Sequence, residues 1–175
     1  SSFFRFGLLG TGLVGLAMVF AGCSTCKPGG GPGKPLAYNL HVNLSPSLKE
    51  SSVVVDVIPA NEYDLERLRT YSINKYWQVD DPMREVFTKG AGSFVSGNDL
   101  SREIKAADPR WQKWSKSGAQ YLVTIADLPG VYQDQPGSQD PRRQILPVCK
   151  CYGTSGTKDL RVEVQASGAR IVTAP

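Results

Sequence analysis

The sequence predicts an all-β sandwich of six to eight short strands, with two or three short helices inserted near its middle. Three observations predict it. Leu36, Tyr38, Leu40, Val42 and Leu44 alternate strictly with Ala37, Asn39, His41 and Asn43, the pattern of a strand with one buried face. Residues 52–58 read Ser-Val-Val-Val-Asp-Val-Ile, a β-branched run closed by Pro59. Gly 18 and Pro 12 of 175 residues favour many turns over long helices, while 41% apolar content suffices for one core.

Residues 1–22 read as an export signal. Arg5 precedes an uncharged run of 17 residues, Phe6 to Gly22, shorter than the about 20 that span a bilayer. The run ends Val19-Phe20-Ala21-Gly22-Cys23, which resembles the bacterial lipoprotein box, with Phe20 where Leu is commonest. Ala21 and Gly22 are small enough for a peptidase to hold the extended backbone, and Cys23 supplies a thiol for acylation. An ordinary signal peptide or membrane anchor is the alternative. In the lipoprotein reading the mature chain begins at Cys23, and Ser24, where Asp would favour retention at the inner membrane, directs it to the outer membrane. Several acyl chains hold far more firmly than one. Residues 23–35 then form a Gly/Pro-rich tether whose Gly-Lys pair lacks the spacing of a phosphate loop.

The body is residues 36–175. After the first strand comes a polar connection, residues 45–51, and the two strands flanking it read as a hairpin with an exposed loop. Asn61 caps a helix over residues 61–68, with Leu65 and Leu68 on one face. Residues 71–79 read as extended and largely buried, and Asp80-Asp81-Pro82 as a turn. Residues 84–88 and 93–95 read as short strands around a Gly turn. Residues 99–105 read as a short helix, and Asp108-Pro109 opens another that carries Trp111 and Trp114 and stops at Gly118. A strong strand covers residues 120–126, an exposed loop 133–143, and a strand 144–152 in which Pro147 favours an edge. Residues 159–164 and 170–173 close the chain around a three-residue hairpin signal, Ala166-Ser167-Gly168.

Charge excludes a nucleic-acid module. Three of the 20 basic residues, Arg5, Lys27 and Lys34, precede Leu36 and all 16 acidic residues follow it, so the body's net charge is only +1. The single histidine, His41, sits on the polar face of the first strand without a Gly-x-Ser-x-Gly partner motif. One histidine is too few for the common catalytic zinc sites. Cys149 and Cys151 share a strand face at a spacing poor for a mutual disulfide; a soft metal is one reading, and burial or pairing with Cys26 the other. Asp80, Asp81 and Glu85 suit a turn better than a pair of glycosidase acids. Trp111 and Trp114 pack inward, or, if exposed, stack on a glycan or peptidoglycan. No catalytic residue, metal site, cofactor or small-molecule substrate is expected, so the chain reads as a non-enzyme.

The order of features resembles one family. A lipoprotein box precedes a strand, then residues 52–58 with the helical stretch 61–68 directly after. Later come the strand 120–126, Arg142 and Arg143 leading into another strand, and the closing hairpin 160–172. This resembles the outer-membrane lipoprotein of type VI secretion systems, the TssJ family. The resemblance implies a transthyretin-like or immunoglobulin-like sandwich, lipid-anchored at the outer membrane and facing the periplasm. It implies one partner, the periplasmic domain of a large inner-membrane secretion subunit. It places partner contact on the loop after the first strand, here Ser45, Pro46, Ser47, Leu48, Lys49, Glu50 and Ser51, with Leu48 as the apolar candidate.

Overall fold

The computed structural model describes residues 37–89, 92–95, 100–148 and 159–173. Among the described residues eight strands form two four-stranded sheets. The first has the order β4 (Ser101–Ile104), β1 (Asn39–Leu44), β7 (Asp159–Gln165), β8 (Gly168–Thr173). The second has the order β3 (Gly92–Val95), β2 (Val54–Ala60), β5 (Tyr121–Ala126), β6 (Arg143–Pro147). β1 and β7 pair in parallel, and the other pairings among the described residues are antiparallel. The all-β sandwich read from the sequence is the fold.

Two cores explain the two kinds of strand pattern. Between the sheets, Leu40 and Val42 of β1 and Leu160, Val162 and Val164 of β7 pack with Val55, Val57 and Leu122 from the second sheet. The outer face of the first sheet carries His41, Arg161 and Glu163, so β1 and β7 alternate. The outer face of the second sheet is covered by helices. Ile58, Val123 and Ile125 lie under Leu65 and Leu68 of α1 (Glu62–Thr70), Ile73 and Tyr76 of α2 (Ile73–Tyr76) and Phe87 of α3 (Pro82–Thr88). Buried on both faces, β2 and β5 read as near-continuous apolar runs. A fourth helix, α4 (Pro109–Lys116), packs Trp111 and Trp114 into the core between the sheets.

Several elements differ from their reading in the sequence. β1 and β2 are not a hairpin; they lie in different sheets, and the connection between them crosses the sandwich. Leu48 drives that crossing, since its side chain is 1% exposed and joins the core between the sheets. Residues 71–79 are not extended: Ser72 caps α2 through the Lys75 N–H, and Ile73 and Tyr76 fall three apart on its buried side. Residues 84–88 belong to α3, opened by Asp81 as cap and Pro82 in its first turn. Residues 101–104 form the edge strand β4, in which Ile104 alone is buried. Gln165 pairs with Gly168, so the closing hairpin has a two-residue loop. Pro147 does lie on an edge strand.

Candidate functional site

The path of β1 gives the sandwich two distinct ends. Six residues of strand separate them by about 20 Å at ~3.3 Å per residue. At its start, Asn39 holds two neighbours: its Nδ2 donates to Asp159 Oδ1 at 2.7 Å, and its Oδ1 accepts the Ala106 N–H at 2.9 Å. Ala37 enters here beside α4, lining a groove with Ala106, Asp108, Trp111 and Lys116. At its finish, the Leu44 N–H donates to Leu100 O at 2.7 Å and the Ser45 N–H to Val164 O at 2.8 Å. Residues 45–51 therefore leave the sandwich at the end opposite Ala37.

That loop is built rather than slack. Pro46–Leu48 forms one 3-10 turn, with the Ser45 hydroxyl accepting the Ser47 N–H. Backbone bonds follow from Leu48 N to Ser45 O, Lys49 N to Pro46 O and Ser51 N to Leu48 O. Leu48 anchors the turn from beneath, so it is not the exposed apolar side chain expected of it. Pro46, Ser47, Lys49 and Glu50 are the residues turned to solvent. A shallow cleft of about 250 Å³ continues from Leu44, Ser45 and Pro46 onto Glu163 and Gln165 of β7.

The β5–β6 connection meets the same end. The Tyr132 hydroxyl donates to Ala166 O in the closing hairpin, and Val131 beside it is fully exposed. The sequence reads residues 133–143 as an exposed loop, yet Asp140, Arg142 and Arg143 are buried. Arg142 donates to Asp140 Oδ1 at 2.9 Å and Oδ2 at 2.8 Å, to Asp134 Oδ1 at 2.9 Å and to Asn74 Oδ1 at 2.6 Å. Burial alone would raise the Asp140 carboxyl; the hydrogen bonds from Arg142 outweigh it and hold the group below the usual carboxylate range. Arg143 instead donates to four backbone carbonyls, those of Leu68, Tyr71, Gln135 and Gly137. Two of these belong to the otherwise unsatisfied C-terminal end of α1. Residue type alone did not reveal this network, but a repeated signal was present: Asp108-Pro109-Arg110 and Asp140-Pro141-Arg142 are the same tripeptide. In each, the arginine N–H and fork close on the aspartate two residues before.

The other sequence candidates are dispersed. Trp111 and Trp114 are 4% and 3% exposed and meet edge to face at 4.9 Å, with Trp111 Nε1 donating to Lys105 O at 3.1 Å. Both rings are buried in the end of the core, with only a small part of Trp111 reaching the groove at Ala37, so the exposed pair that the glycan-stacking alternative needs is not formed. Asp81 caps α3 and accepts from the Tyr71 hydroxyl at 2.7 Å, so the Asp80–Asp81 pair is turn chemistry. His41 lies between Glu103 and Arg161 in the strand register. Among the described residues no group of three His, Cys, Asp or Glu side chains is placed to hold a metal ion, and no helix is long and apolar enough to cross a membrane. Cys23, Cys26, Cys149 and Cys151, with the export signal and the tether, lie outside the described residues.

No family profile matches the chain, and no curated protein matches it in sequence. Three solved structures are similar to it in shape. Serratia marcescens Lip, described as a membrane-bound component of the type VI secretion system, is 12% identical, with 79% of this chain and 98% of that one covered at a TM-score of 0.47. The lipoprotein TssJ1 from Pseudomonas aeruginosa is 15% identical, with 81% and 98% covered at 0.44. A structure described as the TssM C-terminal domain from EAEC contains a chain 12% identical, with 78% and 98% covered at 0.49.

Proposed function

We propose that this chain is a lipid-anchored structural protein of the outer membrane that ties down a trans-envelope complex of the type VI secretion kind. Acylated Cys23 holds one end of the sandwich at the membrane. The loop 45–51 at the other end binds the periplasmic part of a large inner-membrane subunit. The role is one of binding, without catalysis. The observation that supports this reading is the opposition of the two ends along β1: the chain enters at Ala37 beside α4, and the loop leaves past Ser45. A domain tethered at its entry end presents the far end to whatever approaches across the periplasm. Pro46, Ser47, Lys49 and Glu50 form the contact, and Leu48 sets its shape from inside.

The test is co-purification from native membranes in detergent, with the full chain tagged, followed by mass spectrometry. Recovery of a large inner-membrane protein with other secretion components is the expected result. Recovery of the tagged chain alone overturns the reading.

A further inference from the structure

We propose that the α4 end of the sandwich is a membrane-docking face that seats on anionic phospholipid headgroups through Lys105, Lys113 and Lys116. The inference rests on the anchoring reading above, because Cys23 must first bring the chain to a bilayer.

Three observations carry it. First, the three lysines are exposed, and none forms an ion pair with a described residue. The acid that opens α4, Asp108, is held by the Arg110 guanidinium at 2.9 and 2.7 Å, which pulls its carboxyl down to about 2 and leaves that pair neutral. Lys113 and Lys116 lie on α4 and Lys105 on the chain leading into it; Lys113 stands near enough to Asp108 to help lower its carboxyl, so α4 and its cap carry one acid against Arg110, Lys113 and Lys116. Asp159 and Glu62 also lie near this end, hydrogen-bonded by the neutral groups of Asn39 and Tyr121, which orient these carboxylates without offsetting their charge. Second, Ala37 lines the same groove as Ala106, Ala107 and Lys116, so the chain outside the described residues joins the domain at this face. The 14 peptide steps from Cys23 to Ala37 reach at most about 50 Å, so the face is free to come down onto the surface that holds the acyl group. Third, the buried aromatic faces of Trp111 and Trp114 hold α4 against the core, so Lys113 and Lys116 stand on a fixed helix. A leaflet carrying anionic headgroups attracts each nearby lysine, and the attraction fades beyond about 10 Å at ~0.1 M salt, so the face gains by lying against the surface.

The two lysines in the last turn of α4 also suit the negative end of its dipole, a role that is indifferent to lipid. The experiment separates the two. The full chain, purified from membranes, is reconstituted into vesicles of phosphatidylcholine alone or of phosphatidylcholine mixed with phosphatidylglycerol. A water-soluble acetylating reagent then reports each lysine's reactivity by mass spectrometry. Lys105, Lys113 and Lys116 are expected to react roughly fivefold more slowly on the anionic vesicles, with the protection lost at high salt, while Lys49 at the opposite end is unchanged. In a K105Q/K113Q variant the protection of Lys116 is expected to fall. Equal reactivity at Lys116 on both vesicles, or protection insensitive to salt, overturns the docking face. The mass of the peptide carrying Cys23 is read in the same experiment: an unmodified thiol overturns the anchoring reading and the docking face with it, whereas equal lysine reactivity on an acylated chain overturns the docking face alone.

Discussion

Arg142 folds back onto Asp140, two residues before it, and the same fork reaches Asp134 and Asn74, so one guanidinium fixes the β5–β6 connection against α2. Asp140 is 0% exposed and cannot find water if its partner is removed. Replacing Arg142 with Gln is expected to cost about 3–5 kcal/mol, read from urea unfolding, because it leaves a buried uncompensated carboxylate. The double variant D140N/R142Q is expected to recover part of that loss. A single-variant cost below ~1 kcal/mol would show that the pair is solvated.

Acid lability follows from the same carboxylates. Asp108, Asp134 and Asp140 all titrate below the ordinary carboxylate value in the folded chain. Such groups stabilise the fold fully above the unfolded value, near about 3.9, and that stability is lost as pH falls through the folded values, for Asp108 about 2. Unfolding free energy is therefore expected to decline from about pH 4 downward, and the slope is expected to be shallower in D108N.

Gly168 opens β8 at φ 148°, where a Cβ would lie 2.8 Å from Pro141 Cβ and 3.0 Å from its carbonyl oxygen. The neighbouring Ala169 N–H donates to that carbonyl at 2.7 Å, so the approach is fixed. Gly168→Ala is expected to destabilise by about 1–3 kcal/mol, seen as a lowered Tm.

Leu48 and its neighbours are expected to separate stability from binding. Leu48→Ala should cost about 2–5 kcal/mol on unfolding, as a core deletion does. Lys49→Glu and Glu50→Lys should change stability by no more than about 0.5 kcal/mol while weakening capture of the partner. Unchanged capture in both charge reversals would remove the loop from the contact.

What the sequence made legible depended on how many faces each element buries. β1 and β7 alternate because one face is wet, and β2 and β5 run apolar because α1–α3 cover the second sheet. Two of the misread elements, β4 and α3, carry too little burial to show a period. β4 buries only Ile104, so Ser101, Arg102 and Glu103 pass for the exposed face of a helix. α3 buries only Phe87, and its real signal was Asp81-Pro82, the same opening that marked α4 at Asp108-Pro109. Leu48 is a lone apolar residue in a polar stretch, which has the local pattern of an exposed loop; no local pattern says that the chain crosses between sheets there. Arg142 and Arg143 bury through hydrogen bonds to residues as far away as Asn74 and Leu68, a relation that local spacing does not encode.

The opposition of the two ends is tested most directly by photocrosslinking in cells, with a benzophenone amino acid placed in the full chain at Ser47 or at Gln112, both exposed and at opposite ends of the sandwich. A crosslink from Ser47 to a large inner-membrane protein, with none to that protein from Gln112, is the predicted result. The same crosslink arising equally from both positions, or from Gln112 alone, would contradict it.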